Sequence, residues 1–119
     1  MGLVITANGN AMWASPYSGY NAFREELIAV TNTDPKEVDA ITDPARIHGI
    51  WYRTPEEPLM VLMAHSDCAG YILPMQAGAI ADRLCDVKHL MGEEWQSAID
   101  DLIEGLNDAY SSETVATFF

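Results

Sequence analysis

Apolar residues recur every three or four positions in three segments, the spacing that places them on one face of a helix. The first predicted helix covers residues 18–31, with Tyr20, Phe23, Leu27 and Val30 on its apolar face. A second begins at Pro74 and is broken by Gly92, and its inner side carries Ile80, Leu84, Val87 and Met91. The third and most regular covers residues 93–110, with its apolar stripe at Trp95, Ile99, Leu102, Ile103, Leu106 and Tyr110.

Both ends of the chain have the pattern of short strands. Residues 3–6 are β-branched and apolar, and the turn-prone sequence Asn8-Gly9-Asn10 follows them. The tail, residues 114–119, is also β-branched and aromatic, so we expect it to pair with the N-terminal strand.

The middle of the chain is harder to assign. Asp34-Pro35 opens a predicted helical turn that continues to Ile41, because proline is favoured at the first helical position. Residues 47–53 are rich in β-branched and aromatic side chains, which predicts a second strand. Residues 56–65 contain an apolar run without a polar face, which indicates a buried central helix, with a strand as the alternative. The predicted fold is α+β: a mainly helical single domain over residues 1–119, with about four helices and a small antiparallel sheet from the N- and C-terminal segments.

Composition adds an unequal distribution of charge. The 119 residues include 18 acidic and 6 basic side chains, a net charge of −12. Lys88 is the last basic residue: residues 1–88 carry 11 acids and 6 bases, whereas residues 89–119 carry 7 acids and no base. Because phosphate binding needs cationic side chains, this balance argues against direct binding of nucleic acid or an anionic membrane and favours a basic partner. No apolar run approaches the roughly 20 residues of a membrane-spanning helix, so we expect a cytoplasmic protein.

Most of the C-terminal acids belong to one predicted helix face. They lie opposite the apolar stripe of the third helix and are Glu93, Glu94, Asp100, Asp101, Glu104 and Asp108. At a helical rise of 1.5 Å per residue they recur about every 4 Å, close to the roughly 3.4 Å between phosphates along one DNA strand. Surface helices normally mix charges of both signs, since like charges four residues apart repel. The stripe is therefore our candidate partner-binding site, and a solvated helix face is the alternative.

Two metal hypotheses come from the histidines and cysteines. His65-x2-Cys68 and Cys85-x3-His89 have spacings found in structural zinc sites. Cys85 is next to Leu84 in the sequence, so a buried apolar residue is the simpler interpretation of Cys85. The pair His65 and Cys68 could also form a thiol enzyme, although nothing in their spacing specifies a catalytic geometry.

The segment of residues 65–72 resembles an EF-hand calcium loop in part. Asp67 and Gly70 occupy suitable positions, but the fifth position is Ala69 and the twelfth is Gln76, where calcium needs oxygen ligands and a bidentate glutamate. A structural loop with Gly70 at a positive φ is the preferred interpretation, and we expect no cofactor and no metal.

Three stretches of the chain carry a resemblance: residues 13–24 (WASPYSGYNAFR), the segment from His65-Ser66-Asp67-Cys68-x-Gly70 to Ala81-Asp82-Arg83-Leu84, and the last helix with its short aromatic tail. In this order and spacing they resemble a family of small uncharacterised proteins of bacteria, particularly actinobacteria, and of their phages. The family usually has Asp at the position of Ala69 and has no counterpart of Cys85, and both departures count against a metal here. The resemblance implies no particular activity; it favours a mobile-element or conflict-system setting.

These observations lead to one functional hypothesis. The chain is expected to be a non-enzymatic acidic protein that uses its carboxylate stripe to block a basic, nucleic-acid-handling partner such as a nuclease. A phage-encoded inhibitor of host defence and an immunity-type protein both fit that description. A small zinc-stabilised domain and a thiol/histidine enzyme are the alternatives.

Overall fold

The computed structural model describes residues 2–65 and 69–119 and has the α+β architecture expected from the sequence. The chain begins with a hairpin, β1 (Gly2–Ala7) and β2 (Asn10–Pro16), followed by α1 (Tyr17–Val30). Three short helices come next, namely α2 (Pro35–Asp39), α3 (Pro44–Ile47) and α4 (Met60–Met63). The second half comprises β3 (Gly70–Ile72), α5 (Pro74–Val87), α6 (Gln96–Ser111) and β4 (Ala116–Phe118), with two 3₁₀ turns, Lys88–Leu90 and Glu93–Trp95, between α5 and α6. No helix of these two ranges has both the length and the apolarity to cross a bilayer.

The four strands form one antiparallel sheet in the order β2-β1-β4-β3. The predicted pairing of the two chain ends is confirmed, since Ile5 of β1 lies opposite Phe118 of β4. Alternate residues of β1, beginning at Leu3, are buried, whereas Thr117 and Tyr71 on the opposite face are exposed. The sheet therefore packs its helices against one face and leaves polar side chains on the other.

The sequence analysis did not assign β2. Asn8 and Gly9 have φ values of 55° and 77°, the left-handed pair that a two-residue hairpin turn requires. β2 also contains a bulge: Ile5 pairs with Trp13 and Thr6 with Ala11, so Met12 is an extra residue. The bulge breaks the strict alternation, and Met12 and Trp13 are both buried. A sequence search for alternating polarity misses such a strand.

The predicted strand at residues 47–53 is wrong. Asp43 caps α3 instead, because its carboxylate accepts the backbone N–H of Ala45 at 3.0 Å, and α3 extends to Ile47. The residues that follow are irregular. Trp51 is buried there, with the Arg46 guanidinium 5.0 Å from its ring centre. The β-branched and aromatic character of this segment thus serves packing rather than sheet pairing.

In the predicted central helix at residues 56–65, Leu59 and residues 61–65 are buried, Glu56 is exposed, and only α4 is helical. Two side chains of α1 donate hydrogen bonds to backbone carbonyl groups at the end of this single turn. The Tyr20 hydroxyl donates to Leu62 O at 3.0 Å, and Arg24 Nε donates to Met63 O at 2.9 Å. Burial raises the pKa of the Tyr20 hydroxyl. The predicted helices at residues 18–31 and 93–110, the start of a helix at Pro74 and the turn after Pro35 are all confirmed.

Candidate partner-binding face

α6 owes its position to its buried face. Ile99, Leu102, Leu106 and Ala109 are each at most 1% exposed and pack into the core. Trp95, just before the helix, is anchored to α1 by its indole N–H, which donates to a Glu26 carboxylate oxygen at 3.2 Å. Tyr110 departs from the predicted stripe, since 56% of its side chain is exposed.

All six predicted carboxylates of this region are exposed. They are Glu93, Glu94, Asp100, Asp101, Glu104 and Asp108. The structure divides them into groups with different surroundings, which a helix projection does not reveal.

Three of the six have a local structural explanation. Glu93 and Glu94 lie in the 3₁₀ turn that precedes α6, where the positive end of the helix dipole favours a negative charge. Asp100 forms an ion pair with Lys88. Lys88, the last basic residue of the sequence, therefore partly compensates the negative charge of the stripe. The count of charges along the sequence did not predict this contact.

Asp101, Glu104 and Asp108 form the second group. None of them has an ion pair with any residue in the part of the chain that the structure describes. Asp108 accepts a hydrogen bond from the neutral Asn8 amide at 3.0 Å, and it lies in the last turn of α6, where the helix dipole disfavours a negative charge. These three residues constitute the acidic face.

The acidic face borders a groove between β2 and α6. The groove consists of two adjoining depressions of about 690 Å³ and 440 Å³, which share Ala11, Met12 and Asp101 in their walls. Glu104 and Asp108 line the first depression, and Glu94 lines the second.

The groove has an apolar floor. Met12 and Trp13 of β2 are buried beneath it, and Trp13 packs on Phe23 with ring centres 4.8 Å apart. α6 comes close to β2 at Gly105, where a Cβ atom would stand 2.5 Å from the Met12 Cβ. We name this feature the β2–α6 groove: an apolar floor, an acidic wall from α6, and the edge of β2 as the other wall.

The zinc hypothesis receives no support from the side chains that the structure describes. His65 is fully buried and stacks on Phe118 with ring centres 3.7 Å apart, whereas Cys85 and His89 are exposed. The expectation that Cys85 is buried is therefore wrong. Within residues 2–65 and 69–119, no three histidine, cysteine or acidic side chains form a group that could hold a metal ion. Cys68, the fourth proposed ligand and the nucleophile of the thiol-enzyme alternative, lies outside the described residues.

The segment of residues 65–72 lies between α4 and α5, but its last three residues form β3. Gly70 has the predicted positive φ, 124°, but it begins β3, and Tyr71 donates its backbone N–H to His48 O at 2.9 Å. Asp67, the single carboxylate of that loop, is also outside the described residues.

The sequence analysis found the carboxylates but missed the groove. The sequence Asn8-Gly9 could have indicated the groove. This dipeptide after a short strand predicts a hairpin, and the second strand of that hairpin, β2, forms one wall of the groove. Comparison of the chain with protein-family models, with curated proteins and with solved structures gave no match.

Proposed function

We propose that this protein is a non-enzymatic acidic binding protein that occupies the basic surface of a nucleic-acid-handling partner. The observation that carries the proposal is the acidic face: Asp101, Glu104 and Asp108 line one side of a groove and have no basic partner within the described residues. Carboxylates that no local cation neutralises are available to a cationic partner.

Charge repulsion within α6 supports the proposal. Glu104 has like-charged neighbours at Asp100 and Asp108, each four residues away, and such pairs destabilise a helix by about 0.2–0.5 kcal/mol. The position of Asp108 near the helix C-terminus is also unfavourable. A sequence selected only for stability would place lysine or arginine at one of these positions.

The spacing of the carboxylates supports the partner class. Asp101, Glu104 and Asp108 span about 10 Å of helix, which corresponds to about three phosphates along one strand of duplex DNA. A surface with that charge density competes for cationic side chains that bind a nucleic-acid backbone. Together with the resemblance to phage and bacterial proteins, this favours an anti-defence inhibitor or an immunity-type protein against a nuclease.

The test neutralises the acidic face without changing its shape. The triple variant Asp101→Asn, Glu104→Gln, Asp108→Asn is immobilised beside the unchanged protein, and both are exposed to a lysate of the host at a series of salt concentrations. We expect the unchanged protein to retain a basic nucleic-acid-binding protein that elutes as salt rises, and the triple variant to lose it. The purified partner should then lose its nucleic-acid binding or nuclease activity when the unchanged protein is added.

A matched control carries the same change of net charge elsewhere. Glu25, Asp39 and Glu56 are exposed and lie outside the groove, so Glu25→Gln, Asp39→Asn, Glu56→Gln should retain the partner. Equal retention by the triple variant and the unchanged protein would show that the acidic face is only a solvated surface.

A further inference from the structure

The open edge of the sheet lies along the same groove. β2 is the first strand in the sheet order, and no strand in the described part of the chain pairs with its outer side. The opposite edge is partly covered, since Tyr71 of β3 donates its N–H to His48 O. β2 is therefore the edge at which another chain can add a strand.

The hydrogen-bond alternation of an antiparallel ladder identifies the open groups of β2. Val4 exchanges two backbone bonds with Phe119, at 2.7 and 2.9 Å, so its neighbours Leu3 and Ile5 direct their N–H and C=O groups towards β2. Their register partners in β2 are Ser15 and Trp13. The residue between those two, Ala14, consequently directs its N–H and C=O away from β1.

The same reasoning applies at the hairpin. Ala7 and Asn10 flank the two-residue turn and form its closing pair, so the backbone of Ala11 points outward. Ala11 and Ala14 are both exposed, and their small side chains leave the edge accessible. The bulge at Met12 separates the two open positions and Pro16 ends the edge, so an added strand would be short.

α6 runs antiparallel to β2 beneath this edge. Asn10 shares the first depression of the groove with Asp108, whereas Ser15 shares the second with Glu94. A strand added to β2 lies about 4.8 Å beyond it, and alternate side chains of that strand project to one face. In this groove those side chains would meet the acidic face.

We propose that the β2–α6 groove binds an extended basic segment of the partner, which pairs with the backbone of Ala11 and Ala14 and directs alternate lysine or arginine side chains towards Asp101, Glu104 and Asp108. This inference rests on the proposed function and specifies its partner: a short, extended, cationic peptide segment. The two open backbone positions fix its register, and the carboxylates select its charge.

The experiment compares two cationic probes. The first is a seven-residue peptide of alternating lysine and valine, which can form a strand; the second is spermine, which carries positive charge but no peptide backbone. Binding of each is followed by isothermal calorimetry at low salt and by the backbone amide spectra of the ¹⁵N-labelled protein. We expect the peptide to bind, with the largest amide shifts at Ala11 and Ala14 and with slowed hydrogen exchange at both.

The variant Ala14→Pro tests how much backbone pairing contributes to peptide binding, without changing any charge. It removes the outward N–H of Ala14 and leaves the bonds between β1 and β2 and every charge unchanged, and proline is tolerated on edge strands. We expect it to weaken the peptide about fivefold, the typical effect of one lost hydrogen bond, and to leave spermine unaffected. The triple variant Asp101→Asn, Glu104→Gln, Asp108→Asn should weaken both probes about tenfold.

The inference is overturned if the peptide binds more weakly than about 1 mM, if its amide shifts avoid Ala11 and Ala14, or if Ala14→Pro leaves its affinity unchanged. Should Ala14→Pro fail to fold, hydrogen exchange at Ala11 and Ala14 of the unchanged protein decides the question. The proposed function is tested separately. It is wrong if the triple variant still retains the partner protein from the lysate. Loss of that partner with the triple variant but not with Ala14→Pro would keep the proposed function and reject strand pairing.

Discussion

The two long C-terminal helices, α5 and α6, have similar inner faces and different outer faces. Leu84 of α5 and Leu106 of α6 are both fully buried in the same core. Outside, Arg83 of α5 binds Glu57, with Nε 3.0 Å from Oε1, and lies 3.8 Å from Asp86, whereas α6 carries acids and no base. Packing thus determines which residues occupy the inner faces, but it does not determine the charges of the outer faces.

The largest predicted effects are on the inner faces, where the two helices should respond alike. Leu84→Ala and Leu106→Ala each remove a buried side chain, and we expect each to lower the free energy of unfolding by about 2–5 kcal/mol. Urea denaturation measures both. The exposed neighbours provide the controls, since Cys85→Ala and Asn107→Ala should stay within about 0.5 kcal/mol of the unchanged protein. A Leu106→Ala variant as stable as its control would contradict the similarity of the inner faces.

Replacing one glycine of each helix by alanine should affect the stability of the protein differently in α6 and in α5. Gly105→Ala places a Cβ 2.5 Å from the Met12 Cβ, which cannot move without moving β2. We therefore expect the free energy of unfolding to fall by about 1–2 kcal/mol, although alanine has the better helix propensity. Gly78→Ala places its Cβ 2.7 Å from the ring of Tyr110, which is 56% exposed and can rotate away. We therefore expect Gly78→Ala to be neutral or stabilising by up to about 1 kcal/mol. Thermal unfolding of both variants checks this prediction, and a change of the same sign in both would refute it.

The sequence predicted α5 and α6 because their apolar positions repeat over several turns and each turn adds to the same pattern. It predicted the pairing of the chain ends because both ends are short, β-branched segments of one domain. The bulge at Met12 concealed β2, and the buried Trp51 made an irregular segment resemble a strand. A one-dimensional pattern records that a side chain is buried but not which element buries it.

The candidate site was only partly predictable for the same reason. All six acidic residues were identified from spacing, and their exposure is confirmed. Their division depends on tertiary contacts: Lys88 reaches Asp100 across the turn between the helices, and β2 supplies the second wall of the groove. Neither contact is encoded in the helical period of α6.

The paired charges of α5 provide a smaller test of the outer faces. The hydrogen bond with Glu57 raises the pKa of Arg83, and the same carboxylate also accepts the backbone N–H of Leu59 at 3.3 Å. We expect Arg83→Ala to lower the free energy of unfolding by about 1 kcal/mol, because a two-contact, partly buried pair contributes more than an exposed one. Lys36→Ala removes the same charge at an exposed position outside any ion pair in the described residues, and it should have about half that effect or less. Equal losses in the two variants would mean that only net charge matters.

The smallest effect should have opposite signs on the two outer faces. Glu104→Gln removes the repulsion of Glu104 with its like-charged neighbours Asp100 and Asp108, so we expect a gain of a few tenths of a kcal/mol in the free energy of unfolding. Asp86→Asn on α5 removes an attraction to Arg83 and should cost a similar amount. Both effects should be clear at about 0.01 M salt, where the Debye length is about 30 Å, and should fade at about 1 M, where it is about 3 Å. If Glu104→Gln instead lowered the stability at low salt, the carboxylate would have a stabilising role within the fold. The argument that α6 retains its acids for a partner would then lose its physical basis, because that argument requires the charge of Glu104 to be unfavourable in the isolated protein.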